Sequence, residues 1–596
     1  MTQTPTAAAQ AWLAGLDEAL QRRDVDAALE LFEDDCYWRD FVAFTWNLKT
    51  LEGKADIRRM LEATLDRVQP ANWATAEDAT GDGDAVEAWI TFETGAARGY
   101  GHLRLRDGKC WTLLTTMQEL KGFEEKKGPR REQGVAHEIV RGRRSWKELK
   151  EEQEARLGYE EQPYCVIIGG GQGGIGLAAR LKRLGVPTII VEKNQNPGDS
   201  WRNRYKSLHL HDPVWYDHLP YLKFPDDWPV FAAKDKIGDW LEHYTRIMEL
   251  NYWSGTECVG AAYDDGTQEW AVNVLRNGEP VTLRPKQLIF ALGVSGYPNI
   301  PVFDGAGSFL GEQRHSSQHP GGGDWTGKKA VVIGSNNSAH DICADLWEHG
   351  ADVTMVQRSS THIARSESLM DLALGDLYSE RALAAGVTTE KADLLFASLP
   401  MRILPGAQVP VYQEMASRDA GFYSQLEAAG FDLDFGVDGS GLFVKYLRRG
   451  SGYYIDVGAS QLIIDGRVKL KNGQVTKITG NAVVMDDGTE LEADLIVYAT
   501  GYGSMNGWLA DLVSPEIADR VGKCWGYGSD TPKDPGPWEG ELRNMWKPTN
   551  VPNLWIHGGN LHQSRHYSAY LALQLKARME GLDTPVYELQ PSHHTR

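Results

Sequence analysis

The sequence predicts an α/β protein in which two βαβ units follow a smaller α+β domain. An apolar run, a glycine turn and a helical pattern begin at Tyr164, and the same succession begins again at Lys328. Residues 1–125 differ, because two amphipathic helical stretches are followed there by runs of alternating polar and apolar residues. Helices followed by such strands favour an α+β cone.

The front domain carries a cluster of aromatic residues. Trp38, Phe41, Phe44 and Trp46 could line an apolar pocket, and the alternative is that they form the core of a small domain. The helical opening, the YWRD segment and the closing strands resemble the NTF2-like or SnoaL-like family. Because cones of this kind also pair through their sheets, we expect a scaffold or oligomerising domain without chemistry of its own.

The first βαβ unit has the pattern of a Rossmann-like dinucleotide-binding domain. Gly169 and Gly171 would let backbone N–H groups and a helix N-terminus approach a pyrophosphate, and Gly174 would let the helix pack on the strand. Glu192, at the end of the second apolar run, would accept hydrogen bonds from an unphosphorylated ribose, which suits FAD or NAD. A glycine-rich surface turn is the alternative.

The second unit repeats this pattern with different chemistry. Its second strand ends in Arg358 and Ser359, where an NAD site would carry an acid. A guanidinium beside a hydroxyl can bind a 2′-phosphate, so the sequence predicts NADPH here, with a solvated loop arginine as the alternative. An asparagine in place of the middle glycine leaves room for NADH as well. The residues expected to bind this cofactor also include Gly334, Asn336, Asn337 and Ser338.

Further segments resemble the class B flavoprotein monooxygenases, which comprise the flavin-containing, Baeyer-Villiger and N-hydroxylating enzymes. Phe309, Gly311 and His315 match the signature FxGxxxHxxxW, whose last aromatic is replaced here by His319. Other matching segments are GDSWRNRY, LHLHDPVWYDHLPYLKFP, DLIVYATGY and GGNLHQSRHYSAYLALQLKARMEG. The resemblance covers residues 161–590, and its motifs stand in the family's order.

The resemblance implies that NADPH reduces FAD, that the reduced flavin reacts with O2, and that a C4a-(hydro)peroxyflavin transfers one oxygen atom to a substrate. It implies that His315 ties the two nucleotide-binding domains together, with a packing histidine as the alternative. His211 and Asp212 would position substrate or flavin, although a turn before Pro213 explains them equally well. The remaining residues implied to contact FAD are Trp201, Arg202, Thr500, Gly501 and Gln563.

The expected domains are an NTF2-like domain at 1–125, a charged helical linker at 126–160, an FAD-binding domain at 161–325 and 481–596, and an NADP-binding domain at 326–480. Within the last of these, residues 367–400 are expected to be helical. Residues 450–466 and 483–501 are expected to form strands with turns.

Composition limits the possible partners. The net charge of -20 argues against nucleic acid, and six scattered cysteines without a CxxC pair indicate neither a metal site nor the redox dithiol of disulfide reductases. The chain has no apolar run of membrane-spanning length, so we expect a soluble cytoplasmic protein, and a homodimer is the expected assembly.

An NTF2-like domain ahead of such an enzyme resembles the type II flavin-containing monooxygenases. This resemblance implies Baeyer-Villiger oxidation of ketones, sulfoxidation, or both, on a small organic substrate with O2, and tolerance of NADH beside NADPH. N-hydroxylation or N-oxidation of an amine is the alternative reaction. An alternative of another class is a non-catalytic protein that binds a ligand in the front cone.

Overall fold

In the part of the chain that the structure describes, the strands assemble into one mixed sheet in the front domain and, later, two five-stranded parallel sheets accompanied by three smaller sheets. The computed structural model describes residues 4–82, 85–135, 137–293, 296–528 and 540–592. The arrangement confirms the predicted α/β class, with two Rossmann-like units preceded by an α+β domain. No helix in the described ranges combines the length and the apolarity that a membrane crossing would need.

The front domain consists of helices packed on a sheet. The helix Pro5–Gln21 begins after Thr4, whose side chain accepts a hydrogen bond from the Ala7 N–H. Its apolar residues recur every three or four positions and bury one face. The other helices are Val25–Glu30 and Gly53–Val68. The strands are Phe32–Phe41, Leu48–Glu52, Ala71–Thr75, Thr80–Asp82, Ala85–Glu93, Ala97–Arg106 and Lys109–Leu120.

The aromatic cluster of this domain is packed as core. Trp38 and Phe41 are 0% exposed, Phe44 is 1% exposed and Trp46 is 6% exposed. The Trp38 indole N–H donates to the Thr115 hydroxyl over 2.8 Å, and its ring meets Phe44 edge-on. The alternative in which these residues form a core is therefore confirmed for Trp38 and Phe44, whereas Phe41 is buried against the helix Leu561–Met579.

The linker contains the predicted exposed helix, Trp146–Arg156. Ser145 and Glu148 form a reciprocal capping box that fixes its first turn. No residue of this helix is buried. The helix is held by its own caps and charge pairs rather than by packing.

The first nucleotide unit is built on a five-stranded parallel sheet. Its strands, in spatial order, are Tyr252–Trp253, Thr188–Val191, Cys165–Ile168, Gln287–Phe290 and Leu554–Ile556. The central strands are buried along their whole length because helices cover the sheet. These helices include Gln172–Arg183, Lys234–Ile247 and Leu561–Met579, which we call the C-terminal helix. Shorter elements of this region are the helices Asp199–Arg202 and Val214–Asp217 and the antiparallel strands Thr256–Asp264, Glu269–Arg276 and Glu279–Leu283.

The second unit has its own five-stranded parallel sheet. The strands, in spatial order, are Glu312–His315, Leu495–Tyr498, Lys329–Ile333, Asp352–Gln357 and Lys469–Asn472. The helix Asn337–Glu348 packs on this sheet, and the antiparallel strands Val475–Ile478, Ala482–Met485 and Glu490–Glu492 adjoin it. The expected domain boundaries stay predictions. Two strands of this sheet, Glu312–His315 and Leu495–Tyr498, lie outside the range 326–480 that was expected for the NADP-binding domain.

Helices fill most of the chain between the strands of the second unit. They are Ser366–Leu369, Met370–Leu374, Glu380–Ala384, Thr389–Ala397, Leu404–Arg418, Ala420–Ala428 and Gly441–Arg449. A parallel strand pair, His362–Arg365 and Tyr453–Asp456, holds the two ends of this region together. The helices Asn506–Leu512 and Pro515–Val521 follow the second sheet.

One expectation about this region is wrong. Residues 450–466 were expected to form strands with turns; Tyr453–Asp456 is a strand, but Ala459–Ile464 is a helix. The Asp456 carboxylate accepts the N–H of Ser460 over 3.1 Å, and Leu462 and Ile463 are buried in the core of the second unit. A short apolar run carries too little periodicity to separate a strand from a helix, so tertiary packing decides its conformation.

Candidate active site

The glycines of the first turn serve two different purposes, close packing and access for a ligand. Gly169 has φ +108°, and a Cβ there would lie 2.4 Å from the Ala291 carbonyl oxygen. A Cβ on Gly174 would lie 2.0 Å from the Gly169 carbonyl oxygen. At Gly171 the nearest atom to a Cβ would be the Ser200 hydroxyl, at 3.6 Å. The outer glycines are therefore required by close packing, while Gly171 borders free space at the helix N-terminus, which fits a pyrophosphate.

The Glu192 carboxylate lies beside this turn. One oxygen accepts the Gly170 N–H over 2.8 Å, and the other accepts the backbone and side-chain N–H groups of Asn194 over 2.8 and 2.7 Å. Glu192 is only 8% exposed. The carboxylate is thus fixed next to the pyrophosphate position, where a ribose diol would follow.

The C-terminal helix begins against the same turn. Asn560 caps it by accepting the Gln563 N–H over 2.8 Å. The Gln172 side chain donates to the Gly559 carbonyl over 3.3 Å, and the His557 ring lies 3.0 Å from the Gly173 carbonyl oxygen. The structure therefore brings Gln563, predicted from the sequence to bind FAD, to the border of the first cradle.

Trp201 and Arg202 have different surroundings. The Trp201 indole N–H donates to the Gln172 side chain over 3.1 Å, which places it at the start of the first unit's helix. The Arg202 guanidinium binds the carboxylates of Asp199, Asp239 and Glu242. Burial disfavours its charge, but these hydrogen bonds raise its pKa above the ordinary value. An FAD contact of Arg202 stays a prediction, and its structural role is to hold the acidic cluster.

The second glycine turn follows the same geometry. Gly334 has φ +132°, and a Cβ there would lie 2.3 Å from the Ala499 carbonyl oxygen. The helix Asn337–Glu348 begins directly after Asn336, and Ser338 lies in its first turn. The Asn337 side chain accepts the Ile455 N–H over 3.0 Å, so this asparagine also holds the neighbouring strand.

Arg358 and Ser359 are exposed at the end of the strand Asp352–Gln357. Across the part of the chain that the structure describes, the Arg358 guanidinium makes no hydrogen bond and no ion pair. Its neighbour Gln357 is buried and exchanges two hydrogen bonds with the backbone of Asp432. The strand end is therefore fixed while the cation beside it is free to bind a phosphate.

His315 ends an outermost strand of the second sheet and contacts the ATG turn beside it. Its Nδ1 accepts the Ser317 N–H over 3.2 Å, so Nε2 carries the proton and donates to the Gly501 carbonyl over 2.9 Å. Burial lowers the pKa of His315, so the ring is neutral. Thr500 donates to the Asn299 carbonyl and accepts the Asn299 side-chain N–H. These bonds join the connection between the units to the turn at 500–501.

His211 and Asp212 lie where the segment after the first unit meets the helix of the second. The His211 Nε2 is 3.4 Å from the Asp341 carboxylate, to which Tyr205 also donates over 2.6 Å. Burial opposes the charged ring, but Asp341 and Asp212 raise the pKa of His211. Burial raises the pKa of Asp212 to about 6, against the lowering effect of His211. The two nucleotide units thus meet at a hydrogen-bonded cluster of titratable groups.

The sequence reasoning missed a second buried cluster. Arg565, on the C-terminal helix, binds both oxygens of Asp393 over 2.7 and 3.0 Å and donates to the carbonyls of Tyr216 and His218 over 2.6 and 2.7 Å. The Asp217 carboxylate is buried nearby, and burial raises its pKa well above the ordinary value. No local signal separates Arg565 from Lys576 and Arg578, the other cationic residues of the C-terminal helix.

Comparisons with known proteins agree with this geometry. Residues 166–403 match the family "Pyridine nucleotide-disulphide oxidoreductase", and residues 11–113 match the SnoaL-like domain. The indole-3-pyruvate monooxygenase YUCCA1 of Oryza sativa subsp. japonica is 30% identical over 352 residues, which are 59% of this chain and 79% of the relative. The probable indole-3-pyruvate monooxygenase YUCCA3 of Arabidopsis thaliana is 29% identical over 387 residues, 63% of this chain and 79% of the relative.

Among solved structures, the complex of OTEMO with FAD and NADP superposes with a TM-score of 0.50 at 17% identity. The alignment covers 71% of this chain and 85% of the other. This likeness concerns the fold, and it confirms the pair of dinucleotide-binding domains. The match at residues 11–113 confirms the NTF2-like front domain.

Proposed function

Since the chain belongs to the family of flavin-dependent monooxygenases, we propose that it uses FAD, NAD(P)H and O2 to insert one oxygen atom into a small organic substrate. The observation that carries the proposal is the pair of glycine turns at Gly169 and Gly334, each of which leads into a helix that faces its own ligand space. The bound cofactors supply the redox chemistry, since NADPH donates hydride and FAD passes the electrons to O2.

FAD fits the first unit. Gly171 leaves room for the pyrophosphate at the N-terminus of Gln172–Arg183, and Glu192 is positioned to accept hydrogen bonds from the adenosine ribose. Trp201 borders the same cradle through Gln172. Gln563 lies in the first turn of the C-terminal helix beside it, where its side-chain oxygen accepts from Tyr446 and Trp525.

NADPH fits the second unit. The exposed Arg358 and Ser359 follow the second strand, where a 2′-phosphate would lie. NADH would occupy the same cradle without the contact to the guanidinium, so we propose a preference for NADPH with some use of NADH.

The chain's own residues hold the reacting groups in place and limit access of water. Asp341 of the second unit binds His211 and Tyr205 from the segment after the first unit's helix, and Asn299 binds Thr500 beside the His315–Gly501 bond, so the two units are joined at two places. We propose that Asp212, beside this junction, faces the substrate. Its raised pKa lets it donate a proton in hydrogen bonds to a substrate oxygen at mildly acidic pH.

We propose oxidation of a carbonyl compound, by Baeyer-Villiger chemistry, as the favoured reaction, with sulfoxidation beside it. The names of the relatives state that they act on indole-3-pyruvate, whose reactive group is a ketone beside a carboxylate. N-oxidation of an amine is the second candidate, because an ionised Asp212 could pair with a protonated amine. Use of the front cone as a ligand-binding module has less support, since its aromatic cluster is packed as core.

Product analysis separates these reactions. The purified protein is given NADPH and air together with cyclohexanone, indole-3-pyruvate, thioanisole or N,N-dimethylbenzylamine, and the products are identified by mass spectrometry. A lactone from cyclohexanone, or loss of CO2 from indole-3-pyruvate, supports carbonyl oxidation. N-oxide without either of these products would favour the second candidate. Failure of NADPH to bleach the flavin under anaerobic conditions would contradict the whole proposal.

A further inference from the structure

The front domain docks on the C-terminal helix through one face of its sheet. Residues alternate along the strand Phe32–Phe41, so Arg39 and Phe41 lie on the face opposite to Trp38. The Phe41 ring contacts three aromatic rings of the C-terminal helix, those of His566, Tyr567 and Tyr570, at centroid distances of 6.1, 5.7 and 4.9 Å. A sheet face that could have served for pairing between copies is therefore covered within the same chain.

Arg39 forms a buried ion pair at this interface. Its Nε and Nη2 donate to the two oxygens of Glu541 over 2.7 and 2.8 Å, and the two side chains are 4% and 5% exposed. Thr50, also in the front domain, donates to the same carboxylate over 2.7 Å. A bidentate pair at this depth fixes orientation, because losing one partner leaves the other charge buried and unpaired.

The third nitrogen of Arg39 reaches the helical region. Its Nη1 donates over 2.6 Å to the carbonyl of Ala397, the last residue of the helix Thr389–Ala397. The same helix carries Asp393, which binds Arg565 through both oxygens. Arg39 therefore holds the end of the helix that supplies the partner of Arg565.

Arg565 completes the connection to the candidate active site. Its Nη1 donates to the carbonyls of Tyr216 and His218 in the segment that begins with Asp212. The Tyr216 hydroxyl in turn accepts the side-chain N–H of Asn560, which caps the C-terminal helix at the first glycine turn. Two buried charge pairs thus link a residue of the front domain to the substrate side of the flavin cradle.

We propose that Arg39 is a positioning residue through which the front domain fixes the segment 212–218 against the C-terminal helix. This inference rests on the monooxygenase function proposed above. In coupled turnover one oxygen atom of O2 enters the substrate and the other leaves as water, with two electrons from NADPH. A displaced segment lets O2 take the same two electrons and two protons and leave as H2O2, while substrate is not oxidised. Hydride transfer to the flavin depends on the two glycine turns, which Arg39 does not contact.

The test compares Arg39→Met with Arg58→Met, a matched change at an exposed ion pair of the same domain. The substrate is whichever of cyclohexanone, thioanisole and N,N-dimethylbenzylamine the wild type oxidises fastest. We measure FAD content, anaerobic flavin reduction by NADPH, H2O2 formed per NADPH consumed, kcat and KM. In Arg39→Met we expect flavin reduction within about twofold of the wild-type rate and a severalfold loss of coupled product. Arg58→Met should match the wild type.

A second variant covers the case in which Arg39→Met does not fold. Arg39→Lys keeps the charge but loses the planar fork that contacts Glu541 and Ala397 together, so its coupled fraction should lie between those of Arg39→Met and the wild type. Wild-type coupling in a folded, flavin-loaded Arg39→Lys would overturn the inference. That outcome differs from failure of the proposed function, in which the wild type itself shows no reduction of flavin by NADPH.

Discussion

The Nε2 atom of His315 lies 2.9 Å from the carbonyl oxygen of Gly501 and donates a hydrogen bond to it. His315 ends the strand that leads into the second unit, and Gly501 follows the neighbouring strand Leu495–Tyr498. The bond therefore joins the ends of two neighbouring strands within the second sheet. The sequence predicted that His315 ties the two nucleotide-binding domains together, and that role stays a prediction, because the acceptor lies beside His315 at the edge of the second sheet.

Replacing His315 by alanine should loosen this connection. The Gly501 carbonyl would lose its donor inside the protein, which costs on the order of 1–3 kcal/mol. We expect a lower melting temperature and a lower kcat with FAD content unchanged, measured by thermal unfolding and NADPH oxidation. His243→Ala, at an exposed histidine, is the control. Unchanged kcat and melting temperature in His315→Ala would contradict the positioning role.

Replacing Arg358 by alanine should weaken NADPH binding selectively. The guanidinium has no other partner in the described chain, so its loss should leave the fold intact. We expect kcat/KM for NADPH to fall by about 10- to 100-fold, as for a lost hydrogen bond between charged groups, and kcat/KM for NADH to change little. Arg284→Ala, at another exposed arginine, should affect neither. Equal losses with both nucleotides would remove the assignment of the 2′-phosphate site.

The glycines of the first turn should respond differently to substitution. Gly171→Val places its side chain in the space proposed for the pyrophosphate, so the protein should fold but lose FAD. Gly169→Val forces a side chain onto the Ala291 backbone at a positive φ, so it should also destabilise the fold. Flavin absorbance and circular dichroism distinguish the two effects, with Gly307→Ala as the control. A fully yellow Gly171→Val protein would disprove the cradle.

The pair His211 and Asp341 should make stability depend on pH. The pKa of His211 in the folded protein lies above its ordinary value of 6.5. Protonated His211 therefore stabilises the fold fully below pH 6.5, and this stabilisation is lost as pH rises through the raised pKa. Asp341→Asn should flatten this part of the profile, measured as melting temperature against pH.

Other groups face the same ring and set the background of that experiment. Asp212, Arg204 and Tyr454 lie against the ring, Tyr205 shares the Asp341 carboxylate, and His340 stacks on Tyr454. The pKa of Asp212 is raised from 3.8 to about 6 in the folded protein. Its ionisation therefore also lowers the stability of the fold as pH rises, but mainly between those two values, which is a more acidic range than that of His211. The difference between wild type and Asp341→Asn above pH 6.5 therefore reports His211, and identical profiles there would contradict the pairing.

Truncating Phe41 to alanine should destabilise the docked assembly. Its ring is 0% exposed and contacts the C-terminal helix, so the loss should reach about 3–5 kcal/mol. We expect FAD to be released at a lower temperature, followed by flavin fluorescence during heating. Val302→Ala, at a side chain that is 99% exposed, should leave this temperature unchanged. Flavin release at the wild-type temperature in Phe41→Ala would show that the front domain does not support the flavin site.

The sequence by itself determined the features that depend on neighbouring residues. Gly169, Gly174 and Gly334 could be identified because a strand, a tight turn and a helix impose backbone requirements within about 30 residues. The position of Arg358 at a strand end could be identified because that end has a fixed place relative to the turn of its own unit, while its role stays a prediction. The helix at 459–464 was misread, because a short apolar run has no decisive period and its packing against the second unit selects the conformation.

Only the tertiary structure decided which distant charges meet. Arg39 and Glu541 are 502 positions apart, and Asp393 and Arg565 are 172 positions apart. No local pattern distinguishes these residues from solvated surface charges, since each becomes a buried partner only when the front domain, the helical region and the C-terminal helix close on one another. Backbone geometry is set along the chain, but the pairing of buried charges is set by how separate units pack, and that packing determines what the front domain can do for the flavin site.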